Sequence, residues 1–252
     1  MRGAKRDSCR GEHDAASFAN PHVQQVLRRA RPVELHAPSR IALIDTNPNT
    51  ADPAAQAVFD DFSDALTAYA RSSSSSVPDM VRFACNKQVE AARDDSDEPK
   101  GFDAAVIAVS LPADASSAHH VDMLERAWRA CTLEQHARVY AIAMSDAYAP
   151  DAARDALLDL EAYCDRGYAI WCGGIALGAG NLIVRTRTSP RMGTLRRTRS
   201  QAIDRLIAAV RLGTNVDQAL ELAGGSGDPS TPDILTVSCP LPRFLYRHIA
   251  KA

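Results

Sequence analysis

The sequence predicts a doubly wound α/β domain, with five short parallel strands alternating with amphipathic helices on both faces of one sheet. Two observations carry this. Short apolar runs recur at 41–44, 80–84, 104–109, 139–144 and 168–177, and the segments between them repeat apolar residues at helical spacing. The third and fourth runs, Ala104–Val109 and Val139–Met144, are apolar at nearly every position, as strands buried on both faces are.

Each element has its own signal. Residues 1–37 are rich in arginine, alanine and polar residues and read as an N-terminal extension, partly disordered, ahead of a domain at 38–252. Ile41-Ala42-Leu43-Ile44 opens the sheet. Asp52 as N-cap and Pro53 at the first helical position start a helix whose inner stripe is Val58, Phe62, Ala65, Leu66 and Tyr69. Ser72–Ser76 is a connecting loop, and Met80–Ala84 a short strand. Lys87–Lys100, with Asp94, Asp95, Asp97 and Glu98, reads as a solvated excursion. Val121, Leu124, Trp128 and Cys131 fall on one face of a second helix. Ala153–Arg166 forms a third, with Ala156, Leu160 and Tyr163 inward and Gly167 ending it. The strand Tyr168–Leu177 leads into Gly178-Ala179-Gly180, and Ile203, Leu206, Ile207 and Val210 mark a fourth helix. Right-handed crossovers place the loops after the strands on one rim, where such sheets bind ligands.

Composition narrows the function classes. A net charge of −2 gives no general attraction to nucleic acid or to anionic membranes. No apolar run reaches membrane-spanning length, and Met1–Asp14 lacks the apolar stretch of a secretory signal. The cysteines at 9, 85, 131, 164, 172 and 239 form no CxxC pair and no zinc-type spacing. They read as free thiols of a cytoplasmic protein. His119 and His120 are adjacent and point in different directions on a helix, which argues against one shared metal site. No nucleophile elbow, zinc-protease or phosphate-loop motif is present, so hydrolytic chemistry has no support.

Several segments, in order, resemble the flavodoxin-like NAD(P)H-dependent FMN reductases. Asp45-Thr46-Asn47-Pro48 follows the first strand, where that family has a turn close to N-G-S-P. Ser110-Leu111-Pro112-Ala113-Asp114-Ala115-Ser116 follows the third strand, in place of a P-L-Y-like loop. Ser145-Asp146-Ala147-Tyr148 follows the fourth, where the family has a short aromatic loop. Trp171-Cys172-Gly173-Gly174-Ile175-Ala176-Leu177-Gly178-Ala179-Gly180 is similar to a W-x-G-G-x-x-x-G-x-G stretch, and Pro242-Arg243-Phe244-Leu245-Tyr246 to a closing segment. The resemblance covers roughly residues 39 to 250. It implies a flavodoxin-like fold and an FMN-binding oxidoreductase taking electrons from NAD(P)H. Thr46, Asn47, Asn49 and Thr50 would hold the phosphate. Pro112, Ala113, Asp114, Ser145, Asp146, Ala147 and Tyr148 would flank the ring. It also implies a possible homodimer.

The residues themselves keep a second reading open. Thr46 stands where the family has glycine, Asp45 places a carboxylate beside the phosphate position, and Asp52 as N-cap takes amides that a phosphate would use. Ala113 replaces an aromatic beside the ring. These departures fit a flavodoxin-like module that has lost its flavin and serves in binding or interaction. The arginines at 185, 187, 191, 196, 197 and 199 have two readings as well: recognition of a phosphate, or a solvated loop and first helical turn.

Overall fold

The structure is a computed structural model that describes residues 36–47, 52–84, 101–112, 125, 128, 131, 133–167 and 169–250. Six parallel strands form one sheet: β1 (Arg40–Asp45), β2 (Asp79–Ala84), β3 (Phe102–Leu111), β4 (Leu133–Ser145), β5 (Ile170–Leu177) and β6 (Ile234–Val237). Their order is β2-β1-β3-β4-β5-β6, and every neighbouring pair is parallel. The first five follow the 2-1-3-4-5 order of doubly wound sheets, which reverses between β1 and β3.

The sixth strand corrects the expectation of five. Ile234-Leu235-Thr236-Val237 is only four residues long and follows a stretch rich in glycine, serine, aspartate and proline. Without tertiary context so short a run carries little periodicity. It pairs with Gly174–Leu177 of β5.

The described helices are α1 (Pro53–Ser72), α2 (Asp151–Arg166), α3 (Asn181–Arg185), α4 (Arg197–Leu212), α5 (Val216–Leu222) and α6 (Arg243–Ala250). The entry into α1 is as the sequence predicts: Pro53 sits at its first position and the Asp52 carboxylate accepts the Ala54 N–H at 3.0 Å. The helix expected around Val121–Cys131 and the charged stretch at 87–100 lie largely outside the described residues, as do His119 and His120.

Helices cover both faces. On one, α1, α4 and α5 pack over Ile41, Leu43, Val106, Tyr140, Ile142 and Ile175. Phe59 and Phe62 of α1 are fully buried there, each on the order of 1.5–3 kcal/mol of transfer free energy. On the other, α2 packs over Ile44, Ile107, Val109 and Ala141. Trp128 meets Tyr163 of α2 edge-on, with ring centroids 5.4 Å apart. Alternation of side chains along each strand produces the two cores.

In β5 the alternation is broken once. Val139 pairs with Trp171 but Tyr140 pairs with Gly173, so Cys172 is an extra residue in the strand. Cys172 and Ile175, three apart, consequently share a core. Gly173 has φ +113°, and a Cβ there would stand 2.4 Å from the Asp233 carbonyl oxygen. The Gly173-Gly174 pair therefore serves a bulge and the close approach of Asp233, whose carbonyl accepts the Gly174 N–H at 2.8 Å. Among the described residues no helix is long and apolar enough to cross a membrane.

Candidate functional site

The reversal of strand order between β1 and β3 opens the crevice where ligands of such sheets sit. The carboxyl ends of β1, β3, β4 and β5 bring Asp45–Asn47, Pro112, Ser145–Tyr148 and Gly178–Asn181 to this one rim. Asn49, Thr50, Ala113 and Asp114 lie outside the described residues.

Asp45 ends β1 with its side chain almost fully buried. One carboxylate oxygen accepts the Asn47 N–H at 3.0 Å and the other the Asp52 N–H at 2.8 Å. The carboxylate thus ties both ends of the loop together. Burial raises its pKa above the ordinary aspartate value, against the lowering effect of those two amides. Thr46 is fully buried and turned into the sheet: its N–H and its hydroxyl both donate to the Ala108 carbonyl, at 3.2 and 3.0 Å. Asp52, capping α1 with one oxygen, accepts the Ser110 hydroxyl with the other.

The loop after β4 is held from three sides. The Ser145 hydroxyl accepts the Ala147 N–H at 3.1 Å, and Asp146 N–H donates to the Leu111 carbonyl at 3.0 Å. The glycine-rich stretch after β5 closes on it, with Ala179 and Gly180 N–H groups donating to Ala147 and Ser145 carbonyls, both at 2.7 Å. A Cβ on Gly178 would meet the Tyr148 carbonyl oxygen at 2.6 Å, so that glycine permits loop-on-loop packing. Ala179 takes φ +56°, an uncommon conformation for alanine, within this contact. From the C-terminal side, the Tyr246 hydroxyl donates to the Asp146 carbonyl and the Tyr148 hydroxyl to the Leu241 carbonyl, the latter at 3.0 Å. The two tyrosine rings lie 5.4 Å apart, and the Arg243 guanidinium is 5.9 Å from the Tyr148 ring centre.

The rim is electronegative. Partial desolvation and the neighbouring Asp52 charge raise the pKa of Asp146, which the Asn181 N–H partly offsets. The Asp52 charge acts in the same direction on Asp45, so both carboxylates sense Asp52 as a like charge. The described residues fit an FMN phosphate poorly: the amides of Asn47, Asp52 and Ala54 already donate to carboxylates of the chain. Among the described residues no group of three or more His, Cys, Asp or Glu side chains is placed to hold a metal ion.

Sequence reasoning found Asp45, Thr46 and Asp52 as departures, and the structure brings all three to the rim. One further residue escaped it, and another was marked by resemblance alone. Asn181, whose side-chain oxygen is buried without a partner, begins a helix of five residues that has no amphipathic signature. Tyr246 reaches the rim from 100 residues beyond Asp146, and only the resemblance of Pro242–Tyr246 to a closing segment marked it. No protein-family model matches this sequence, and no curated protein matches it.

Proposed function

We propose that the chain is a flavodoxin-like module that works by binding or interaction without a flavin. One observation carries this reading: the Asp45 carboxylate accepts the Asn47 and Asp52 amides, and Asp52 accepts that of Ala54. A phosphate seated there would displace the chain's own anions and face their charge, a penalty on the order of one to several kcal/mol. Thr46 adds to this, because its hydroxyl is committed to Ala108. The buried free thiols of Cys164, Cys172 and Cys239 suit a reducing, cytoplasmic setting.

The second reading, an FMN-binding oxidoreductase using NAD(P)H, is supported by the strand order, because doubly wound sheets take such cofactors where that order reverses, as it does between β1 and β3. Flavin would then supply the hydride chemistry and the protein its binding and electrostatics.

Visible absorbance of freshly purified protein, followed by FMN titration, separates the two. The module reading expects colourless protein that leaves FMN fluorescence unquenched. A yellow preparation, or quenching at micromolar concentration, overturns it and directs attention to NADH and NADPH as donors. The paired change Asp45→Asn and Thr46→Gly removes the charge and restores the family's glycine. Flavin binding gained by that variant alone would identify Asp45 and Thr46 as what excludes the cofactor.

A further inference from the structure

Away from the rim, the arginine cluster surrounds a cavity of about 290 Å³ between α1 and the connection from α3 to α4. Its walls carry Arg187, Arg191, Arg196 and Arg199, with Asp60, Asp61 and Asp64 from α1. Two of these charges are compensated outside the cavity: Arg191 bonds Asp204 at 3.3 Å and Asp60 bonds Arg82 at 2.9 Å. Among the described lining residues this leaves Arg187, Arg196 and Arg199 against Asp61 and Asp64, one positive charge in excess.

That excess is buried. The side chains of Arg196 and Arg199 are 7% and 9% exposed and share a single carboxylate, Asp61. Arg196 is well used, donating to the Arg187 and Ser189 carbonyls at 2.6 and 2.7 Å as well as to Asp61. Arg199 is not. Among the described residues its side chain makes one hydrogen bond, a long one of 3.4 Å to the Thr186 hydroxyl, and Asp61 stands 4.0 Å from it. Burial, together with the charge of Arg196, lowers its pKa to about 10. Arg187, at the exposed mouth, has no side-chain partner among the described residues. The 16-residue helix α4 begins here with no side-chain cap, so its positive dipole end adds to the field.

We propose that this cavity is a binding site for a phosphate-bearing small molecule, with Arg199 and Arg187 as its principal contacts. Guanidinium groups short of acceptors match phosphate oxygens in geometry and charge. The volume lies at the lower edge of small-molecule sites, roughly 300–1,000 Å³. It accommodates a phosphate or diphosphate group, with the remainder of the ligand outside the mouth. The arginines thereby have both a loop-bracing role, through Arg196, and a recognition role, through Arg199 and Arg187.

The test is calorimetric titration of the full chain with inorganic phosphate and with pyrophosphate at low ionic strength, using sodium chloride at matched ionic strength as the control. One-to-one binding of either anion, weakened at least ten-fold in Arg187→Ala and in Arg199→Gln, is the expected result. Tighter binding of pyrophosphate identifies a diphosphate ligand; tighter binding of phosphate identifies a monoester. Arg187→Ala removes an exposed side chain that has no partner among the described residues, so its unfolding midpoint should match the wild type even if Arg199→Gln does not fold. Absence of saturable binding at millimolar anion, or binding unchanged in Arg187→Ala and in Arg199→Gln if that folds, overturns the proposal.

Discussion

The Tyr140 hydroxyl donates to the Thr214 carbonyl at 2.9 Å and lies 3.3 Å from that of Ala209, so a fully buried phenol ties strand β4 to the end of α4. Tyr140→Phe removes the donor and strands a buried carbonyl. The expected cost is about 1–2 kcal/mol, read as a lower urea midpoint with an unchanged denaturant slope. An unaltered midpoint would mean that the ring matters there and the hydroxyl does not.

Two glycines with positive φ should respond very differently to the same change. Gly173→Ala drives a methyl group into the Asp233 carbonyl in a backbone conformation that L-residues avoid, and about 3 kcal/mol or more should be lost. Gly224 has φ +76° and nothing within 4 Å of the added Cβ. Its alanine variant should lose only about 1 kcal/mol, the left-handed penalty alone. Thermal unfolding of the pair checks the ratio; equal losses would show that the bulge tolerates a side chain.

Asp61 is the shared counter-charge of Arg196 and Arg199. Removing it in Asp61→Ala leaves two buried guanidiniums facing each other. A loss of about 3–5 kcal/mol is expected, measured by urea unfolding at physiological salt. A loss below about 1 kcal/mol would place this pair with ordinary surface ion pairs.

The pH dependence of Asp45 has a definite sign. Burial raises its pKa above the ordinary 3.8, so the folded chain holds this proton more tightly than the unfolded chain does. The stability this contributes is complete below the ordinary value and is lost as pH rises through the raised pKa. Asparagine does not titrate. The stability advantage of the wild type over Asp45→Asn should therefore shrink as pH rises across that window. Unfolding free energies at a series of pH values measure it; an advantage that grows toward neutrality would mean that the two amide hydrogen bonds outweigh desolvation.

The alternation of strands and helices was legible in the sequence because each element carries its period locally. Val58, Phe62 and Leu66 announce α1, and Ala104–Val109 announces a central strand. β6 was not legible, since four residues acquire strand geometry only from the edge they join. Much of the rim could be read in advance: Asp45 and Asp52 are conspicuous by their charge, and Asp52 by the proline after it. What no local pattern conveys is the side to which a group turns. Nothing in the letters tells that the Thr46 hydroxyl points to Ala108, or that Asp61 rather than solvent meets Arg196. Those facts depend on partners 62 and 135 residues away.

The four residues of β6 also decide what the outside of the sheet offers to other molecules. They cover the outer edge of Gly174–Leu177, the second half of an eight-residue strand. Shortening the chain to end before Ile234 would bare that row, a template on which a second polypeptide can lengthen the sheet. The C-terminal segment thus moves the edge of the sheet from the eight-residue β5 to the four-residue β6, and a shorter edge is a poorer template for a second chain.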